Sequence, residues 1–331
     1  MRIDELINEI YERARRNHRR IALPEANDVK MLTAARIAFD GGYCIPVLVG
    51  SPKEIAVVAA EQQISLEGLE IFDFTEPEKL DEMIIDYHSR KGFLSQKALR
   101  RRAADPLNYA MMMLELGWVD AVFSGVVYTT NEVLMAAQGF IGLAEDIKTV
   151  CSLGIHHVPG FGGEDGTVFG IGDCSTCVAP DSEMLADIAI TSCDTFKKVF
   201  ELEPRAAMLS FSTCGSGMDE SVTKVQVAVA IAQEKRPDLA IDGEFQLDTA
   251  INPAVAARKV KRESNVAGKA NLLIFPEINA GNIGWKMMQE FGNSQVIGLI
   301  LQGFAKPVGD CSRGDTPDTL ARSIALLAAQ A

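Results

Sequence analysis

Loops of small polar residues follow several apolar runs of this chain, and they contain its first candidates for ligand binding. The run Ala121–Val126 leads into a polar turn that contains Thr129 and Thr130. A second run, Ala206–Phe211, leads directly into Ser212-Thr213. Open α/β sheets bind their ligands beyond the carboxyl ends of the strands, so each loop is a candidate site. Each of these hydroxyl residues is equally suited to capping a helix, and the pattern alone leaves both roles open.

The cysteines form no recognisable disulfide or metal pattern. There are seven of them, scattered along the chain, and an odd, scattered set is typical of reduced thiols. Cys174 and Cys177 form a single C-x-x-C pair, with His156 and His157 nearby in sequence. A zinc site needs a second such pair or two well-spaced histidines, whereas adjacent side chains diverge on a strand. We therefore predict structural thiols and no bound metal.

The composition argues against nucleic acid and membranes as partners. The 331 residues include 45 acidic and 32 basic side chains, for a net charge of −13, whereas polyanionic partners require clustered Lys and Arg. One basic cluster, Lys97 with Arg100-Arg101-Arg102, is interpreted as a solvated helix face. No apolar run approaches the ~18 to 20 residues of a membrane span, and the first residues lack the apolar run of a signal peptide. We expect a cytoplasmic protein with a small-molecule partner.

Alternating helices and strands must position the polar loops. The length suits two domains of about 150 residues each. Apolar runs of strand length alternate with segments of helical periodicity, which predicts β-α-β units and a mainly parallel sheet. The predicted strands are 21–24, 45–49, 121–126, 168–171, 206–211, 272–275 and 296–301.

Three helices have recognisable first turns. Ser51-Pro52-Lys53-Glu54 combines an N-cap serine, a proline at the first helical position and a capping-box glutamate. Asp105-Pro106 and Thr316-Pro317 have the same order of cap and proline. The glycine-rich passage Gly160–Gly172 is different, because it has neither a G-x-G-x-x-G between a strand and a helix nor a P-loop lysine. It predicts a hairpin or a surface loop and no nucleotide site.

Taken in order, the loop sequences resemble those of the phosphate acetyltransferase family. The matching phrases extend over essentially the whole chain, and their shared order and spacing argue against chance agreement. They are Leu23-Pro24-Glu25, Asp105-Pro106-Leu107, Ser124-Gly125, Thr129-Thr130, 208–213, 241–244, 266–270, Phe275-Pro276, Gly281-Asn282-Ile283, 302–307 and Ser312-Arg313-Gly314.

The resemblance implies a particular α/β fold. Two domains with mainly parallel sheets would flank a cleft, in an arrangement similar to the isocitrate/isopropylmalate dehydrogenase-like architecture. We place residues 1–145 with 297–331 in a discontinuous first domain and residues 146–296 in the second. Members of this family commonly dimerise through the second domain, so a homodimer is expected.

The implied activity exchanges an acyl group between coenzyme A and phosphate in a ternary complex. Coenzyme A would be a co-substrate, with no permanently bound cofactor. A base must remove the thiol proton, because a thiol pKa of ~8.5 leaves little thiolate at neutral pH. The leaving phosphate suits an arginine fork, and the developing oxyanion needs hydroxyl or N–H donors.

The resemblance also assigns roles to individual residues. Ser312 and Arg313 match the family's acyl phosphate site, which implies a hydrogen-bond donor and a phosphate clamp as the catalytic pair. The expected substrate-binding residues are Ser124, Gly125, Thr129, Thr130, Ser212, Thr213 and Lys306.

Three positions depart from the family pattern. Thr319 occupies the position where the family usually has the aspartate that deprotonates the thiol, and Glu290 and Met135 replace expected arginines. These changes predict weaker binding of phosphate or coenzyme A and an altered substrate. Two other interpretations stay open: a catalytically silent module of the same fold that binds acyl-CoA or a related anion, and a pyridine-nucleotide dehydrogenase on this scaffold.

Overall fold

The structure is a computed structural model that describes residues 3–145, 147–163 and 166–331. This part of the chain forms two compact units. The unit formed from both ends of the chain, called here the N/C unit, comprises residues 8–145 and 304–331. The central unit comprises the described residues within 1–7 and 146–303.

Short, mostly buried strands form the core of each unit. The strands are β1 (Arg20–Leu23), β2 (Ile45–Val49), β3 (Glu70–Phe72), β4 (Ala121–Phe123), β5 (Cys151–Val158), β6 (Thr167–Gly172), β7 (Arg205–Leu209), β8 (Ala240–Phe245), β9 (Leu272–Ile274), β10 (Gln295–Gln302) and β11 (Val308–Gly309).

Helices connect most of these strands. They are α1 (Ile3–Asn17), α2 (Val29–Asp40), α3 (Pro52–Glu61), α4 (Pro77–Lys91), α5 (Gln96–Arg102), α6 (Pro106–Leu116), α7 (Thr130–Phe140), α8 (Ser182–Phe200), α9 (Glu220–Lys235), α10 (Leu247–Ile251), α11 (Pro253–Lys259), α12 (Ile278–Glu290) and α13 (Pro317–Gln330). None of the helices in the described ranges is long and apolar enough to cross a membrane.

The strand pairing confirms the predicted α/β class with mainly parallel strands. In the N/C unit the order is β3-β2-β1-β4-β11, and all neighbours are parallel. In the central unit the order is β10-β5-β6-β9-β7-β8. There β5 pairs antiparallel with β10 and β6, and the other pairs are parallel.

All seven predicted strands are present, although four end earlier than predicted, β1 and β9 by one residue and β4 and β7 by more. β4 ends at Phe123 and β7 ends at Leu209. β4 is short because the next amides leave the sheet: the N–H groups of Gly125 and Val126 donate to the Glu25 side chain. A side-chain acceptor has replaced a neighbouring strand, and the sequence does not show that Glu25 is this acceptor.

The three predicted helix starts are confirmed. Ser51, Asp105 and Thr316 are N-caps, and their side chains accept from the backbone N–H three residues later at 3.5, 3.0 and 3.3 Å. Each cap is followed by a proline at the first turn. The basic cluster of α5 is exposed, as predicted for a solvated face.

The glycine-rich passage belongs to the β5–β6 hairpin, which confirms the predicted hairpin; its residues Glu164 and Asp165 lie outside the described ranges. His156 is on β5, where burial lowers its pKa to about 4 and its ring packs edge-on against Trp285. All seven cysteines are thiols, and burial raises the pKa of Cys174 to about 12. Among the described residues, no cluster of His, Cys, Asp and Glu could hold a metal ion.

Candidate active site

The loop between β4 and α7 surrounds a buried carboxylate. Glu25 follows β1, its side chain is buried, and β1 pairs with β4 in parallel, so the carboxyl ends of the two strands lie together. The N–H groups of Gly125 and Val126 donate to Glu25 Oε2 at 3.0 and 3.1 Å. Those of Val127 and Tyr128 donate to Glu25 Oε1 at 2.7 Å each. Four consecutive amides of the predicted substrate loop therefore bind an internal anion.

The predicted threonines at the end of this loop serve the start of α7. Thr129 is the N-cap and forms a reciprocal capping box with Glu132. Hydrogen bonds from the Thr129 backbone and hydroxyl hold the pKa of Glu132 below its usual range. Thr130 Oγ1 donates to Asp310 Oδ2 at 2.6 Å. In this structure Thr129 caps a helix and Thr130 binds a second buried carboxyl group.

Asp310 follows β11, the parallel neighbour of β4. Its side chain is 1% exposed, and burial raises its pKa to about 6, with the nearby Glu25 contributing to the rise. Asp310 Oδ1 has no hydrogen-bond partner among the described residues. This oxygen lies against Gly125, where a Cβ would overlap it, and Gly125 has a φ of +121°. Glycine is therefore required at position 125 both for its backbone conformation and for the approach of Asp310.

The turn that contains Ser312 and Arg313 packs beside this loop. Both residues are exposed. Arg313 Nη2 donates to the Val127 carbonyl oxygen at 3.1 Å, and Lys30 Nζ donates to the Arg313 carbonyl oxygen at 2.9 Å. The Ser312 backbone N–H donates to Asp315 Oδ2 at 3.0 Å. Burial raises the pKa of the Asp315 carboxyl group.

The N/C unit thus brings together four of the predicted substrate-binding residues and both predicted catalytic residues. Ser124 is fully buried, its Oγ has no partner among the described residues, and its carbonyl accepts from Cys311 Sγ at 3.5 Å. The exposed donors of this arrangement are the Ser312 hydroxyl and the Arg313 guanidinium. Such a pair can bind a phosphate group at the surface of a loop whose own amides are occupied.

Ser212 and Thr213 lie in the central unit and are buried. Ser212 Oγ donates to Glu244 Oε1 at 2.8 Å and accepts from the Gly217 N–H at 3.0 Å. Thr213 Oγ1 accepts from the Gln246 N–H at 2.9 Å. Burial raises the pKa of Glu244, but hydrogen bonds from the Gly215 N–H and the Ser212 hydroxyl outweigh it and lower the pKa overall. The two hydroxyl groups order their own loop in this structure.

Lys306 interacts with the end of a helix. Its Nζ donates to the carbonyl oxygens of Leu114 and Glu115, both at 2.8 Å, and these carbonyls belong to the last turn of α6. A cation at a helix C-terminus satisfies otherwise unpaired carbonyl groups. In this structure the predicted substrate-binding lysine is a helix-capping group.

The three positions that depart from the family pattern lie on helices. Thr319 is in the first turn of α13, where its Oγ1 is 3.1 Å from the hydroxyl of the cap residue Thr316. Met135 is exposed on α7 and lines a surface pocket of about 350 Å³ together with Arg102 and Tyr128. Glu290 is exposed at the end of α12.

Sequence reasoning missed the roles of Glu25 and Asp310. Glu25 occurs in the phrase Leu23-Pro24-Glu25, and Asp310 directly precedes Cys311-Ser312. The available signal was an acidic residue just after a strand, a position where parallel sheets gather functional groups. That signal becomes specific only when β1, β4 and β11 are known to be neighbours.

Comparisons with known proteins agree with these observations. The sequence profile of the phosphate acetyl/butaryl transferase family matches residues 5–328. The phosphate acetyltransferase of Clostridium acetobutylicum is 40% identical over 331 residues, which cover 99% of this chain and 98% of the relative. A solved phosphotransacetylase from Streptococcus pyogenes has a TM-score of 0.92 at 31% identity and covers 100% of this chain and 99% of its own.

A more distant structure shares the fold alone. It is a 4-hydroxythreonine-4-phosphate dehydrogenase from Klebsiella pneumoniae, with a TM-score of 0.57 at 14% identity, covering 94% of this chain and 100% of its own. The predicted family resemblance is confirmed by the full-length matches at higher identity. This chain belongs to the phosphate acetyl/butaryl transferase family.

Proposed function

We propose that this acyltransferase exchanges an acyl group between coenzyme A and inorganic phosphate at the Ser312–Arg313 turn of the N/C unit. The observation that carries this assignment is the exposed Arg313 guanidinium, which one hydrogen bond to Val127 O anchors beside the exposed Ser312. Arginine can form two parallel hydrogen bonds to a phosphate group. The full-length similarity to phosphate acetyltransferases favours this enzyme over a silent binding module or a dehydrogenase.

The proposed reaction is a direct displacement. The coenzyme A thiolate attacks the carbonyl carbon of an acyl phosphate, the C–S bond forms, and the C–O bond to phosphate breaks. Phosphate leaves with the bonding electron pair. Arg313 would bind the phosphate as its negative charge grows, and the Ser312 hydroxyl would donate a hydrogen bond to an oxygen of the reacting group.

Deprotonation of the thiol requires a base, and Thr319 cannot supply one near neutral pH. Asp315 is proposed for this role because it contacts Ser312 directly. Its raised pKa makes its carboxylate a stronger base than an ordinary aspartate, which favours proton transfer. The carboxylate is the active form, so the rate should fall as the pH decreases through the pKa of Asp315.

The remaining binding assignments depend on the resemblance. Thr129 and Thr130 lie beside the Ser312–Arg313 turn, where they could contact a bound phosphate. Ser212, Thr213 and Lys306 each form an internal hydrogen bond, which each would have to give up in order to bind the substrate. We further propose that coenzyme A binds only as a co-substrate and that the protein is a cytoplasmic homodimer. On the same grounds we propose two domains that flank a cleft. Residues 1–145 and 297–331 would form the first domain, and residues 146–296 the second.

Replacement of Arg313 tests the location of the site. Arg313→Ala should weaken phosphate binding by about tenfold or more, because a charge-assisted hydrogen bond contributes roughly 1.5 to 3 kcal/mol. Isothermal titration calorimetry with inorganic phosphate measures the effect. Arg258→Ala is the matched control, because Arg258 is an exposed arginine of α11 that also donates to a backbone carbonyl. Equal phosphate affinity in both variants would remove Arg313 from the site.

A further inference from the structure

The Glu25 carboxylate occupies a place that the sequence suggested for a substrate anion. It is 2% exposed and accepts from four consecutive backbone N–H groups, those of residues 125–128. Successive N–H groups that converge in this way form a binding site for an anion. Because the chain supplies that anion itself, the loop is ordered before any substrate arrives.

The same loop makes the contact that holds the phosphate-binding arginine. Val127 donates its N–H to Glu25 Oε1 at 2.7 Å and accepts from Arg313 Nη2 at 3.1 Å through its carbonyl oxygen. The Glu25 carboxylate therefore restrains the Val127 peptide, and the Arg313 guanidinium donates to the carbonyl oxygen of the same residue. Lys30, at the start of α2, donates from Nζ to the Arg313 carbonyl oxygen at 2.9 Å and so restrains the backbone of Arg313.

We propose that Glu25 is a positioning residue for phosphate binding. Its carboxylate fixes residues 125–128, and the Val127 carbonyl then holds the Arg313 guanidinium in the orientation that binds phosphate. This inference rests on the proposed function of Arg313. Glu25 itself does not touch the substrate, and the four loop amides are not substrate ligands.

Glu25→Gln is the most informative replacement because it keeps the shape of the side chain. A carboxylate offers two acceptor oxygens to four donors, whereas an amide offers one oxygen and places an NH₂ group against N–H donors. Two of the four loop amides then lose their acceptor. The loop should relax, and Val127 O should no longer hold Arg313 in one orientation.

The kinetic test separates positioning from general stability. In steady-state assays with acetyl phosphate and coenzyme A, Glu25→Gln should raise the KM for acetyl phosphate about tenfold or more and change the KM for coenzyme A less than about twofold. Asp173→Asn is the matched control in the central unit. Asp173 is also buried, and its carboxylate accepts from the N–H groups of Ser175, Thr176 and Cys177.

A double-mutant cycle identifies the route of the effect. If Glu25 acts through Arg313, Glu25→Gln should have little further effect on phosphate affinity in the Arg313→Ala background. Additive effects would overturn the proposal, and so would equal changes of both KM values in Glu25→Gln. Glu25→Asp keeps the charge and should retain more phosphate affinity than Glu25→Gln if the variants show the same circular dichroism spectrum.

The outcomes also distinguish this inference from the proposed function. If Arg313→Ala leaves phosphate affinity unchanged, the proposed phosphate site is wrong and the positioning role is overturned with it. If Arg313→Ala weakens binding while Glu25→Gln does not, the phosphate site is retained and Glu25 has only a structural role. A loss of phosphate affinity in Asp173→Asn equal to that in Glu25→Gln would also overturn the positioning role.

Discussion

At the scale of single residues, Asp310 carries a carboxyl group whose ionisation is unfavourable in the folded chain. Its pKa is raised from 3.8 to about 6, chiefly by burial. One pKa unit corresponds to ~1.4 kcal/mol, so the ionised group costs about 3 kcal/mol relative to the unfolded chain. The folded chain binds the proton more tightly, and the free energy of unfolding therefore decreases as the pH rises from about 4 to about 6.

Asp310→Asn should remove this pH dependence. The amide oxygen can still accept from the Thr130 hydroxyl, and the neutral group has no ionisation cost. We expect the stability of the variant relative to the wild type to increase by about 3 kcal/mol between pH 4 and pH 7. Urea unfolding at several pH values measures the difference, with the exposed Asp318→Asn as the control. If the difference in stability between Asp310→Asn and the wild type did not change with pH, the cost assigned to ionising Asp310 would be wrong.

The sequence predicted only those residues of the site that lie in a short recognisable motif. Ser312 and Arg313 were found because their sequence resembles a known motif, and the structure places them beside the β4–α7 loop. Glu25 and Asp310 lie far from each other in sequence, and Gly125 separates their carboxyl groups. Their joint role depends on which strands are neighbours, and no local pattern contains that information.

At the scale of elements, α13 depends on its cap for a sharp start beside the Ser312–Arg313 turn. The Thr316 hydroxyl accepts from the Thr319 N–H at 3.3 Å. Thr316→Ala removes this acceptor and should destabilise the protein by about 1 kcal/mol, measured by urea unfolding. Thr316→Ser keeps the hydroxyl group and should lie close to the wild type. Equal losses in both variants would show that the methyl group, and not the cap, provides the stability.

Helix starts were predictable because a cap and a proline act within one turn of the chain. Ser51, Asp105 and Thr316 each do what their sequences indicate. β4 ends at Phe123, where the apolar run stops and the turn residues Ser124-Gly125 begin. The prediction of a strand as far as Val126 overlooked this signal. The structure adds that the amides of Gly125 and Val126 bind Glu25, a distant side chain that no local pattern indicates.

At the scale of the whole molecule, the alternation of elements predicts the α/β class but not the strand order. The antiparallel position of β10 beside β5 is an example. These strands are separated by more than a hundred residues, and their pairing depends on contacts that no sequence window contains. The N/C unit likewise forms from the two ends of the chain, which only the chain-wide resemblance suggested.

Thr319, Glu290 and Met135, which depart from the family pattern, should affect the turnover of the enzyme more than any other property. We expect acetyl transfer from acetyl phosphate to coenzyme A to be slow, because Thr319 lacks the basicity of the aspartate that the family usually has. A missing general base typically costs about 10² to 10⁴ in rate, and we expect Asp315, which also accepts from the Ser312 N–H, to offset only part of this loss. Glu290 and Met135 should further weaken anion binding, because neither can form the charge-assisted hydrogen bonds of an arginine.

Restoring the family residues tests this account. Thr319→Asp should raise kcat, and the addition of Met135→Arg and Glu290→Arg should lower the KM values. Asp315→Asn in the wild type should reduce the remaining rate, since Asp315 is the proposed base there, but should have less effect once Thr319→Asp supplies another carboxylate. A wild-type turnover of tens per second, typical of enzymes in general, would show that Thr319 does not limit the rate. In that case a strong loss in Asp315→Asn would identify Asp315 as a fully effective base, whereas an unchanged rate would direct the search to Asp318.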